Sequence, residues 1–319
     1  MTNDRFDAYR RAALKAVDFQ LGFQRPDGGY IWPGYANDAY HKQAYSWQLA
    51  GHVDAAHRLL DWVKRDTLQP DGQLANYNGD IYKHAWLCQG AQRLGRFDLS
   101  YPVMKFLLSC QAPCGGFPHF AADELTRSLA TSWAGIAALY LGHLEVAQRA
   151  ARCCMRMLDA QPRPDRFYFQ VTRDGRLVTE QENPAAQFID IAQTKQCYWE
   201  VGFAMLLMCR MHQATGERSY VDYAGRFLDF KLRCADDAFA YWGSGKSALA
   251  SAIYFTLTGD QRARDAACRF CAFVVQTQCP EGGFRYADEP DELLYYVDHA
   301  ACFSVWVLET LAALGAAET

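Results

Sequence analysis

Asp298 and His299 stand side by side in the sequence, a carboxylate next to an imidazole. Such a pair either forms an acid/base unit held near neutrality by mutual charge and burial, or divides its work, Asp298 capping a helix while His299 is left to the chemistry. His41 and His84 occupy matching places at the start of two apolar runs and are further candidates for moving a proton. Glu200 is another, because a carboxylate in an apolar run just beyond Lys195 needs a partner. Around these groups lie Lys42, Lys83, Lys195 and Lys246, interleaved with Tyr40, Tyr82, Trp133, Tyr198, Trp242 and Tyr296. Ammonium groups among aromatic rings suit a small-molecule substrate with an anionic head and a flat or apolar body, whether carboxylate or diphosphate. The alternative is that some of the lysines turn sideways to acids or to solvent.

Other chemistries find less support. The single Cys-x-x-C, Cys268 to Cys271, falls inside a continuous helical pattern with no second pair to complete a zinc site, so these thiols read as core and no metal is expected. The string Gly243-Ser-Gly-Lys-Ser247 has Ala240 where a phosphate-binding loop needs its first glycine, and no βαβ pattern surrounds it. No cofactor is implied.

These residues must be positioned by a repeat, which shows in the glycines. One signature is Gln-x-x-x-Gly-Gly-aromatic, at Gln24 to Tyr30, Gln111 to Phe117 and Gln278 to Phe284, with a degenerate copy at Gln69 to Leu74. The other is a glycine closing an apolar run, at Gly51, Gly95, Gly142, Gly216 and Gly259, where it supplies the left-handed stop of a helix. The two alternate, which predicts six helical hairpins. The first helices are expected near 4–21, 53–67, 99–110, 144–160, 218–233 and 261–277, the more apolar second ones near 38–50, 81–94, 127–141, 189–214, 246–257 and 294–314. A helix apolar on nearly all sides belongs inside. The expected fold is therefore all-α: an (α/α)6 toroid of two concentric rings, in a single domain spanning 1–319.

One stretch breaks the pattern. Residues 166–179 alternate β-formers around Asp174-Gly175, predicting a β-hairpin insertion that serves as a lid or as a surface ornament. In such a toroid the glycine-rich turns lead into the second helices, so the chemistry is expected at their N-termini. Six N-termini, each with about half a positive charge, add to the lysines in attracting an anion. Asp38, Arg127, Thr131, Ser132, Gln193, Gln196 and Cys302 share these places.

Composition narrows the classes. With 32 basic and 36 acidic residues the net charge is −4, too balanced for a nucleic-acid binder that works by phosphate neutralisation. The N-terminal residues carry no apolar leader, and no uninterrupted apolar stretch reaches the length of a membrane span. The 12 cysteines, including the neighbours Cys153 and Cys154, do not suit a disulfide framework. A cytoplasmic protein is expected.

The Gln-x-x-x-Gly-Gly-aromatic turns resemble the repeated turns of the terpenoid cyclase and protein prenyltransferase β-subunit superfamily, over essentially the whole chain. The resemblance implies an α/α toroid, in which those turns tie helices together. Its acid motif, Asp-x-Asp-Asp, is represented only by Cys234-Ala-Asp-Asp237. Of its zinc ligands, Cys197 and His299 have counterparts, but Lys195 stands at the aspartate's place. A shorter resemblance, through Arg173-Asp-Gly-Arg, Lys195, Trp199-Glu200 and Gln213 to Tyr220, is to sugar 2-epimerases, which are also (α/α)6 barrels. Together these imply a cyclase or isomerase that acts by acid/base chemistry on an anionic, partly apolar substrate of prenyl or carboxylic-acid type. A carbohydrate epimerase, lyase or hydrolase is the alternative, and a non-catalytic ligand carrier or scaffold the third.

Overall fold

The structure, a computed structural model, describes residues 2–30, 40–75, 77–285 and 293–318. Twelve α-helices run through the described residues. The helices that open the pairs are α1 (Thr2–Leu21), α3 (Val53–Asp66), α5 (Phe97–Ser109), α7 (Leu144–Asp159), α9 (Arg218–Leu232) and α11 (Gln261–Thr277). In α3, Ala55, Ala56, Leu59, Leu60, Trp62 and Val63 form one buried stripe, so the polar residues between them face water. The helices that close the pairs are α2 (Gln43–Leu49), α4 (Ile81–Arg93), α6 (Ser128–Tyr140), α8 (Trp199–Thr215), α10 (Gly245–Thr258) and α12 (Leu293–Glu318). Every residue of α6 from Ser128 to Ala138 is buried, which its Ala-rich, nearly uncharged sequence permits.

Two of the closing helices depart from their expected bounds. The described part of the first begins at Gln43, and Asp38 lies outside the described residues. The other, α8, starts at Trp199 and not at residue 189, because Phe188–Asp190 is drawn into a strand. That strand also extends the expected hairpin, which forms. The Asp174-Gly175 turn forms, with Gly175 at φ 99° and its N–H bonded to Thr172 O at 2.9 Å. Across it the Thr172 N–H donates to Arg176 O at 2.9 Å and the Val178 N–H to Gln170 O at 3.0 Å, so the two flanks pair with each other, and the hairpin's strands take further partners outside it. Of the four strands β1 (Leu125–Arg127), β2 (Arg166–Tyr168), β3 (Gln170–Thr172) and β4 (Phe188–Asp190), β1 pairs antiparallel with β3 and β2 with β4. A buried strand must satisfy every backbone N–H and C=O, and a lone hairpin leaves one edge open. Here β1, leading straight into α6, fills the edge of β3.

The turn glutamines act as clamps. Gln24 Nε2 donates to Ala55 O on α3 at 2.9 Å, Gln111 Nε2 to Val146 O on α7 at 3.0 Å, and Gln278 Nε2 to Ala12 O on α1 at 2.8 Å. The glycine four residues on has to be glycine. At Gly28, with φ 88°, a Cβ would lie 2.4 Å from Arg58 O, and at Gly115, with φ 90°, 2.4 Å from Arg149 O.

The chain divides into two compact units, one of Met1–Phe106 with Cys271–Ala312, the other of Leu107–Phe270 with Ala313–Thr319. Within the first, α2 packs against α3 and α4; within the second, α8 packs against α6, α9 and α10. All four strands belong to the second unit. One helix, Leu293–Ala316, has the length and composition to cross a membrane, and 67% of its most apolar window is buried inside the protein, as in a core helix.

Candidate functional site

The first unit holds a buried ion pair at the start of α2. Lys42 Nζ donates to both oxygens of Asp298, at 2.6 and 2.7 Å, and the two side chains are 6% and 17% exposed. At this burial the low local dielectric strengthens the attraction between the two groups. The ammonium lies 5.8 Å from the ring centre of Tyr82, which is also 6.0 Å from the buried His41 imidazole. Behind Tyr82 runs an aromatic wall, with Trp86 and Trp306 5.2 Å apart and Trp306 Nε1 donating to Cys302 Sγ at 3.0 Å. Four of the sequence candidates, His41, Lys42, Tyr82 and Asp298, are thus brought together. Asp298 turns to Lys42. His299, one residue on, stacks on Phe303 with ring centres 5.7 Å apart.

The second unit holds a different cluster, centred on a residue absent from the sequence candidates. Lys231 reaches in from α9 and is 2% exposed. Its ammonium donates to Ser247 Oγ in the first turn of α10 and lies between the rings of Phe239 at 4.9 Å and Tyr198 at 5.4 Å. Among the described residues no carboxylate comes within ion-pair distance of it. Burial, reinforced by the neighbouring charge of Lys246, lowers its pKa from 10.5 to about 7. Lys246 is itself buried, 5.5 Å from the ring of Phe203. Tyr198, just ahead of α8, donates its hydroxyl to Asp237 Oδ1 at 2.7 Å, and burial raises its pKa well above the ordinary value. This cluster sits at the N-termini of α8 and α10, where the repeat places the chemistry, yet its central group comes from an opening helix. The signal was present: Tyr220, Ala224, Phe227, Leu228 and Lys231 share the buried stripe of α9, and a lysine in such a stripe cannot reach bulk water.

The remaining candidates are held in other ways. His84 is fully buried, its Nδ1 2.6 Å from Asp80 O and its Nε2 accepting the Leu74 N–H at 3.0 Å. With both nitrogens engaged by backbone, and burial pushing its pKa down to about 4, it is a neutral clamp on the turn. Thr131 does the same in the next repeat, where its hydroxyl accepts the Phe117 N–H at 2.8 Å. His299 stands at the corresponding place of the last repeat, beside Phe303, which packs on Phe284.

Glu200 accepts from Arg127 Nε at 2.6 Å and from the Leu129 N–H at 2.7 Å, joining α8 to the start of α6. Burial raises its pKa, while Arg127 and the Leu129 N–H act against that rise. Lys83 lies 3.9 Å from Asp80, the N-cap of its own helix. Lys195 is exposed on a loop at φ 57°, its N–H bonded to Asp237 Oδ2 at 2.6 Å. Trp133 packs on Phe203 at 5.0 Å, Trp242 on Trp199 at 4.7 Å and Tyr40 on Tyr77 at 5.0 Å, while Arg285 covers Tyr296 at 4.7 Å. Among the described residues no group of three or more His, Cys, Asp or Glu has the arrangement to hold a metal ion.

The sequence matches no protein-family description and no curated protein. Solved structures do match. An α-1,6-mannanase from Salegentibacter is 15% identical at a TM-score of 0.65, with 96% of this chain and 99% of that one covered. A D-mannose isomerase is 11% identical at 0.68, covering 93% and 96%. A type II terpene cyclase from Scytonema, solved with geranylgeranyl dihydroxybenzoate, is 13% identical at 0.61, covering 99% of both chains. At such identities the likeness speaks for the fold alone. The chain has the all-α (α/α)6 toroid fold that its turns imply, a fold it is similar to in both a terpene cyclase and sugar-acting enzymes.

Proposed function

We propose that the protein is an isomerase-type enzyme that shifts a proton on a small, hydroxylated, anionic molecule such as a sugar acid, with Lys231 as the base. The observation that carries this is the Lys231 cluster: a buried amine without a carboxylate partner, its pKa lowered to about 7, beside a second buried lysine. An amine half-neutral near pH 7 can take a proton from a carbon next to a carbonyl. The ammonium of Lys246 and the N-terminus of α10 then stabilise the enediolate, and the proton returns at the adjacent carbon. The D-mannose isomerase shows that this fold houses sugar isomerisation. His41, Lys42, Tyr82 and Asp298 are proposed as a second polar cluster, confined to the first unit, and the chain as one domain spanning 1–319.

A cyclase reading is favoured by the Tyr82, Trp86 and Trp306 wall, whose ring faces can stabilise a cation. It ranks second because the acid of a protonation-initiated cyclisation must be free to give its proton to the substrate, and both oxygens of Asp298 are engaged by Lys42.

The test is proton exchange. Incubated in deuterated water with sugar acids and their keto isomers, the protein should catalyse deuterium incorporation at the carbon beside the carbonyl. Lys231→Met should lower that rate at least a hundredfold with melting temperature maintained. Exchange unchanged in Lys231→Met sinks the proposal.

A further inference from the structure

In three of the four glycine-rich turns the residue just before the first glycine is acidic: Asp27, Asp71 and Glu281. In the fourth it is Cys114. Asp27 Oδ1 accepts the Gly29 N–H at 2.9 Å, and Asp71 Oδ1 accepts the Gln73 N–H at 3.0 Å. Cys114 Sγ accepts the Gly116 N–H at 3.4 Å, the same bond two residues on, made by sulfur. A thiol has been placed in a carboxylate's seat. The rest of the surroundings also favour an anion: the Thr126 hydroxyl lies 4.0 Å from the sulfur, and Arg156 reaches the Cys114 carbonyl. The thiol of Cys153, from α7, lies 3.1 Å from where a side chain on Gly116, whose N–H the Cys114 sulfur accepts, would begin. These contacts, the Cys153 thiol first, bring the Cys114 pKa down to about 6, while that of Cys153 rises.

We propose that Cys114 is a peroxide-reactive thiolate and Cys153 the thiol that resolves it. The Cys114 sulfur attacks one oxygen of hydrogen peroxide, the O–O bond breaks, and the departing hydroxide takes a proton, leaving a sulfenic acid and water. The Cys153 sulfur then attacks the Cys114 sulfur, the S–O bond breaks, and a second water leaves with the Cys153 proton. The two thiols lose two electrons and the peroxide is reduced to two waters. The disulfide ties the turn at 111–117 to α7, a bond the three acidic turns cannot make.

Full-length protein is exposed to a small molar excess of hydrogen peroxide and its peptides are mapped without reduction. A Cys114–Cys153 disulfide should appear before any other thiol is modified. In Cys153→Ser, dimedone should trap the sulfenic acid on Cys114. Cys114→Asp, which restores the residue type of the sister turns, should keep the melting temperature and lose the fast phase of peroxide consumption. Prior oxidation of the half-buried Cys197, Cys234 or Cys279, or equal consumption by wild type and Cys114→Asp, overturns the proposal.

Discussion

Lys42 and Lys231 are buried almost equally, at 5% and 2% exposure, in opposite surroundings. Lys42 is closed by a two-oxygen bridge to Asp298; Lys231 has a hydroxyl, two aromatic faces and another lysine nearby. Burial costs both ammonium groups their hydration, and only the first recovers it in a counter-ion. A buried charge that is paired keeps its proton and serves as structure. One that is unpaired holds its proton less tightly, which is what the proposed base requires.

The widest separation of the two comes from removing each charge. Lys42→Met leaves Asp298 without its counter-ion and should destabilise the fold by about 3 kcal/mol in urea denaturation at pH 7. Lys231→Met removes an unpaired buried charge and should leave stability unchanged or raised. A loss as large as that of Lys42→Met erases the distinction.

A smaller effect lies in the pH dependence. The folded pKa of Lys231, about 7, is below its ordinary 10.5, so between those values the unfolded chain binds the extra proton and stability must rise with pH. Melting curves from pH 7 to 9 should show that rise in the wild type and a flatter profile in Lys231→Met; parallel profiles place the lysine's pKa elsewhere. The finest probe is Lys246→Met. Without the second positive charge the Lys231 pKa should climb, by about one unit or less, moving both the stability rise and the pH optimum of exchange upward.

The helices were legible because glycine punctuates them twice per repeat, and α3, α7, α9 and α11 end within a residue or so of where the turn residues place them. What escaped was decided by tertiary pairing. Phe188–Asp190 became a strand because β2 offered it a partner, and no local propensity announces a partner 20 residues away. The candidate site was legible by halves. His41, Lys42, Tyr82 and Asp298 converge, but His84 and Glu200 have the residue types of catalysts and the hydrogen bonds of fasteners. The repeat carries the fastening role of His84, since Thr131, which is no acid or base, makes the equivalent bond to Phe117 in the next repeat. Lys231 is less legible because it lies on an opening helix, whose arginines face water.

The clamp from Gln278 to Ala12 joins residues 266 positions apart. As the chain leaves the ribosome, α1 emerges long before the side chain that fastens it, which is 266 positions further on. The unit containing α1 needs Cys271–Ala312 to be complete, whereas Leu107–Phe270 of the other unit is continuous and already translated by then. Vectorial synthesis therefore sets an order of assembly: residues 107–270 can consolidate first, and α1 waits for the turn that begins at Gln278 to arrive.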